Sequence, residues 1–196
     1  MTRLLLALLL LLSPWLVHAH ETERIAALYA RGLTGDKQAV VDCIAALDQQ
    51  LARKPDDQLA RVYLGSAWTL RSRDLPFGPA KLSALRKGLA LMDEAAKAEP
   101  DDLKVLLLRA VTNEALPRFL GRKRVAHQQL EELERRVAAD AAKLDAADRQ
   151  LLYLNAGQAA SEAGETERAR ALWQRGLTIE ADAKLKKEIQ AALARE

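Results

Sequence analysis

Apolar residues recur every three to four positions along nearly the whole chain, the spacing that lines one face of an α-helix. Ile25, Leu28 and Tyr29 mark a first helix that should end near Gly32. Val40, Cys43, Ile44, Leu47 and Leu51 mark a second, stopped by Pro55. Asp56 and Asp57 can cap a third, whose inner face is Leu59, Val62, Tyr63 and Leu70. Leu82, Leu85, Leu89, Met92 and Ala96 predict a fourth, ended by Pro100, and Asp101-Asp102 repeats the stop-and-cap device. Leu103, Leu106, Leu107, Ala110 and Val111 give a fifth; Ala126, Leu130, Leu133 and Val137 a sixth. Residues 151–163 and 169–179 predict a seventh and eighth, and Leu185, Ile189 and Leu193 a ninth with a charged outer face. No Val/Ile/Thr/Tyr alternation of period two occurs, so an all-α fold is expected.

The segment from 153 to 181 carries the most specific spacing. It reads Tyr153-x₂-Ala156-Gly157-x₂-Ala160, then Ala169-x₃-Trp173, with Gly164, Gly176 and Ala181 between and beyond. This resembles the tetratricopeptide-repeat pattern W-x₂-L-G-x₂-Y followed by A-x₃-F and P. An earlier pair keeps Leu64-Gly65-x₂-Trp68, with Ala95 and Pro100 at its far end, but inserts about ten residues beyond the ~34-residue unit. A third pair keeps Leu106 and Ala110 without the glycine, and the first keeps little besides Pro55. The resemblance implies right-handed stacked helical hairpins, a tetratricopeptide-like α-solenoid. Its pairs would span about 22–54, 57–99, 102–139 and 146–180, with a capping helix at about 183–195.

The first nineteen residues read differently. Arg3 precedes an unbroken apolar run at 4–12, Ser13 and Pro14 interrupt it, and Val17-His18-Ala19 offers small residues at a cleavage site. This is the pattern of a secretory signal peptide, with the domain proper at 20–196. A stable membrane anchor is not expected, since a spanning helix needs ~20 apolar residues. The expected location is periplasmic or secreted. Aromatics are only 4% of a chain that is 49% hydrophobic, so the core must be Leu and Ala. Cys43, the single cysteine, lies on the second helix's apolar stripe, where it should pack as a small apolar residue.

Charge changes the picture in the middle of the chain. Residues 71–124 hold 12 Lys and Arg against 7 Asp and Glu, a local +5, whereas the rest of 20–196 sums to −3. The excess falls around two irregular turns, each joining the first helix of a pair to the second. The turn at 71–81 contains Arg71, Arg73 and Phe77, and that at 116–124 contains Arg118, Phe119, Arg122, Lys123 and Arg124. Equivalent turns of stacked hairpins project from the same edge. These residues are therefore candidates for a basic, aromatic-edged platform that docks an acidic peptide segment or another envelope protein. The competing reading is that both phenylalanines plug gaps under the loops and the cations form a solvated rim.

In the family that this chain resembles, the first helix of each pair lines a concave groove. The resemblance places Arg109, Asn113, Asn155, Gln158 and Glu162 there. The family's clamp for terminal carboxylates is not expected. Its positions carry Val62, Ser66, Leu108 and Leu151, and only Asn155 fits.

Catalytic patterns are missing: the chain has no G-x-S-x-G, no phosphate loop and no H-E-x-x-H. His20 and His127 stand at no ligand spacing from another strong ligand, so neither a metal nor a cofactor is expected. Basic residues are interspersed with acidic ones, which argues against nucleic acid. The expected function is a non-enzymatic protein–protein interaction scaffold. The alternative is an accessory binding protein for a small anionic ligand, such as a solute-transport partner, with Arg109 or Arg86 lining an enclosed pocket.

Overall fold

The computed structural model describes residues 13–195, and side chains from residue 20 onward. The apolar run at 4–12 lies outside the described residues. Nine α-helices follow one another among these residues, with no strand. They are α1 (Ser13–Leu33), α2 (Lys37–Arg53), α3 (Gln58–Asp74), α4 (Pro79–Ala98), α5 (Leu103–Glu114), α6 (Lys123–Ala139), α7 (Ala146–Glu162), α8 (Thr166–Leu177) and α9 (Ala183–Leu193). Short 3₁₀ turns occupy Arg118–Leu120 and Ala141–Lys143. The expected cleavage position after Ala19 falls within α1. No helix among the described residues is long and apolar enough to cross a membrane.

Helix starts follow local chemistry. Asp36, Asp57, Asp102, Asp145 and Asp182 each precede a helix and accept hydrogen bonds from its first free N–H groups. Each such cap is typically worth ~1 kcal/mol. Of the two acidic pairs, the second member does the capping in both cases, Asp57 and Asp102. Pro79 opens α4, where its missing N–H costs nothing.

The chain divides into two compact units, residues 1–91 and 92–196. In the first, α1, α2 and α3 pack on one another around Ile25, Val40, Cys43, Ile44, Leu47 and Leu64. Tyr29 meets Tyr63 edge-on at 5.1 Å, and its hydroxyl pairs with that of Ser66 at 2.7 Å. Cys43 is buried there, and burial pushes its thiol up to about 11, so it packs as an apolar residue. Lys81 Nζ donates to the carbonyls of Ser72 and Leu75 at the end of α3, at 2.8 and 3.2 Å, satisfying acceptors that the helix leaves open.

In the second unit each helix from α5 to α8 packs on the next, and α5 on α7 and α7 on α9 as well. Such packing is compatible with a helical repeat. The tightest contact joins α7 to α8. Trp173 is fully buried, its Nε1 donates to the carbonyl of Leu154 at 3.1 Å, and its ring lies against Gly157. A Cβ at position 157 would sit 2.3 Å from Trp173 Nε1. A second lock uses Gln150, also fully buried. Its amide donates to the Ile179 carbonyl at 2.8 Å and accepts from Asp182 N–H at 2.9 Å, fixing the α8–α9 link to α7. Neither partner of this glutamine is suggested by periodicity.

Gly157→Ala should therefore destabilise the chain despite alanine's better helix propensity, because overpacking outweighs it. The expected loss is roughly 1–3 kcal/mol, read as a lower urea midpoint with the slope unchanged. A neutral or stabilised variant would show that the indole is free to move aside.

Candidate functional site

α6 starts badly by the rules of isolated helices. Arg122, Lys123 and Arg124 place three cations at the positive end of the helix dipole, and no side chain caps its first N–H groups. The surrounding carboxylates compensate. Arg122 Nη2 lies 2.7 Å from Asp93 Oδ2 on α4. Lys123 Nζ lies 3.0 Å from Glu114 Oε1, at the end of α5, and 2.7 Å from Glu162 Oε1, at the end of α7. Arg118, in the preceding turn, also reaches Glu162 at 3.1 Å. The start of α6 is thereby pinned by carboxylates from three other helices.

The electrostatics agree with this geometry. Partial burial would raise the carboxyl of Asp93, but hydrogen bonds from Arg122 and Arg109 hold it below its ordinary value. For Glu162, desolvation is likewise outweighed by Lys123 and Arg118. Desolvation opposes charge on Lys123 too, yet its two carboxylates leave its affinity for a proton raised. Glu114 is only 6% exposed, which makes the ammonium beside it a structural necessity rather than ornament.

His127 sits one turn after Lys123 on the same face of α6, with Nε2 2.9 Å from Glu114 Oε2. Neither atom makes a hydrogen bond, and both are shielded from solvent. Glu114, His127 and Glu162 bring their ligand atoms within 4.8 Å of one another. Sequence spacing hid this group, because its members are 13 and 35 residues apart and come together only through packing of α5, α6 and α7. One signal was present: Glu114 and Glu162 each end the first helix of a successive pair.

Beside the cluster, α6 and α7 border an open cleft of about 620 Å³. Its floor includes Leu130, Ala156, Ala159, Ala160 and Ala163, and its rim includes Arg118 and Arg124. Arg168, at the far edge, is already paired with Glu134 at 2.9 Å and Glu165 at 3.0 Å. A second cleft of about 490 Å³ lies between α7 and α9, where Asn155 and Gln158 face Lys184, Lys187 and Glu188.

The expected site residues divide accordingly. Phe77 and Phe119 are 90% and 86% exposed, so they plug no gap. Arg118 is 75% exposed apart from its contact with Glu162, and Arg124 is exposed with no ion pair among the described residues. Arg71 is half-buried, and Arg73 is turned to Asp74 at 2.8 Å and to the carbonyl of Gly32 at 3.0 Å. Arg109 is not offered to a groove. It donates to Asp93 at 2.7 and 2.9 Å and to Gln129 at 2.8 Å. Asn113 is completely buried, with neither polar side-chain atom hydrogen-bonded, and so cannot meet a partner from the groove as expected. Asn155 does line a cleft, its amide donating to Leu151 O at 2.9 Å. Arg122 and Lys123, expected to supply free charge, are instead engaged within the fold.

Comparison of the chain with protein-family models, with curated proteins and with solved structures finds no match.

Reversing both engaged cations, Arg122→Glu with Lys123→Glu, sets new carboxylates against Asp93, Glu114 and Glu162. At ~3–5 kcal/mol for unpairing a buried carboxylate and ~2–4 °C per kcal/mol at this chain length, the melting temperature should fall by roughly 6–20 °C. An unchanged melting temperature would mean that these pairs are not part of the fold's support. The same groups set an acid limit. Carboxyls depressed in the folded chain stabilise it fully above their ordinary values of 3.8 and 4.5, and that support is lost as pH falls through the depressed values. Melting followed from neutral pH downward should show this acid limb, and Asp93→Asn should flatten it.

Proposed function

We propose that the chain is an exported, tetratricopeptide-like interaction scaffold without catalytic activity, built as right-handed stacked hairpins. In this reading the α6–α7 cleft receives an acidic peptide segment of another envelope protein. One observation carries it above the rest. Phe119 stands 86% exposed in the turn whose Arg118 and Gly121 line a cleft with an apolar floor, held by ordered backbone rather than by burial. The 3₁₀ turn Arg118–Leu120 ends in Gly121, whose φ of 70° is a left-handed conformation that glycine adopts without strain.

The chemistry of the edge supports the choice of partner. Arg118 and Arg124 supply charge for carboxylates, Phe119 supplies an apolar anchor, and the alanine floor admits side chains from an incoming segment. Loops carrying exposed aromatic and basic residues on a rigid helical frame are where binding residues concentrate. Phe77 is likewise exposed, on its own turn in the first unit. The small-anion alternative draws less support. Of the two side chains expected to hold the anion, Arg109 already has Asp93 and Gln129 as partners beside a cleft open to solvent, and Arg86 is exposed.

A photo-crosslinking residue placed at Phe119 in cells exporting the chain tests the proposal, with adducts identified by mass spectrometry. Position 119 should give a discrete protein adduct that a probe at exposed Lys37 does not, and Arg118→Glu with Arg124→Glu should weaken it. With the probe placed instead at Gln128, an exposed residue lining the same cleft, Phe119→Ala should abolish capture while moving the melting temperature by no more than about 1 °C. Identical adducts from positions 119 and 37, or none from 119, would refute the assignment.

A further inference from the structure

We propose that Glu114, His127 and Glu162 form a binding site for a divalent cation of the zinc class, which exchanges with the ammonium of Lys123. The donor set is one imidazole nitrogen and two carboxylates, one of them 94% buried by its 6% exposure. That combination suits zinc, cobalt or nickel, with a further position open to the neighbouring cleft.

Three features point to a cation rather than to an ordinary surface cluster. First, His127 Nε2 and Glu114 Oε2 approach to 2.9 Å without hydrogen-bond geometry between them, and both are hidden from water. Bonds of ~2.0–2.2 Å from one ion to two such atoms place them ~3 Å apart at right angles, so a shared ion accounts for both unsatisfied atoms. Second, the donors come from the ends of α5 and α7 and from the first turns of α6, each fixed by helix packing. Third, the group that bridges the two carboxylates is a lysine. Its Nζ is within 3.0 Å of both carboxylates, and its flexible stem also borders the cleft.

Exchange keeps the carboxylates answered. Lys123 bridges Glu114 and Glu162, Arg118 also reaches Glu162, and a divalent ion in place of the ammonium brings two positive charges where Lys123 brought one. When the ion enters, the ammonium swings into the cleft, where it adds to the basic rim of Arg118 and Arg124. Loading would thereby make the proposed docking edge more positive. The metal site itself does not depend on that docking reading.

Isothermal titration of the purified full chain with zinc, together with the visible spectrum of added cobalt, provides the test. One equivalent should bind, with a cobalt spectrum of low coordination number. His127→Gln and Glu162→Gln should each weaken binding by at least ~10-fold, since even a group that merely supports a ligand is worth ~10–100-fold. Lys123→Ala, which removes the competing cation, should tighten it. His20→Gln should change nothing. Circular dichroism of each variant separates a lost ligand from a lost fold. Zinc uptake equal in wild type and His127→Gln, no uptake by wild type, or uptake abolished by His20→Gln would each overturn the proposal.

Discussion

The second unit turns on an indole pressed against a glycine. Trp173 is the largest fully buried side chain described, and it fits only because position 157 has no Cβ. This contact sets the spacing of α7 and α8, and the remaining composition of α7 follows from it. A helix drawn close to its neighbour must present small residues, and α7 does so with Ala156, Ala159 and Ala160. The same alanines form the shallow floor of the α6–α7 cleft. One packing requirement thus produces both the rigid hairpin and the concave surface beside it.

Electrostatics settles what that surface can offer. Three consecutive cations at the start of α6 would be unfavourable alone, and the fold answers two of them with Asp93, Glu114 and Glu162. The local excess of +5 is therefore a poor measure of available charge. Arg122 and Lys123 are committed to holding the helix start, and the exposed charge around the cleft rests on Arg118 and Arg124. Removing Arg122 or Lys123 would strand carboxylates in a partly desolvated site, a cost set by desolvation and not by the Coulomb energy of an exposed pair.

Elements with strong periodicity were legible in the sequence. The stripe from Val40 to Leu47 and that from Ala126 to Val137 bury the positions that their spacing indicates, with Leu51 half-buried, and the Pro-Asp-Asp punctuation ends helices and supplies Asp57 and Asp102 as caps. Polar positions were legible only in part. Arg109 and Asn113 lie on a helix with apolar residues on most of its circumference, and nothing in a linear pattern tells a groove-facing asparagine from one sealed within the core. The phenylalanines illustrate the converse. Scarce aromatics usually lie inside, yet Phe77 and Phe119 fall on turns where no helix comes close enough to cover them. Glu114, His127 and Glu162 escaped notice because ligand spacing along a chain reports only sites built within one or two elements, whereas this group draws on three helices.

An exposed phenylalanine forgoes the ~2 kcal/mol that burial of its ring would contribute, so its position needs a cause. Chain flexibility does not supply one. The Phe119 turn is closed by backbone hydrogen bonds from Leu120 to Pro117 and from Gly121 to Arg118, each 3.0 Å, and Arg118 is tied to Glu162. The ring is thus presented by an ordered loop anchored at both ends. Ordering costs are among the largest debits of association, and a side chain already held in place avoids most of them. Phe119 is placed as a preformed anchor would be, which is why the proposed docking edge is centred on it and not on the more numerous but already committed cations around it.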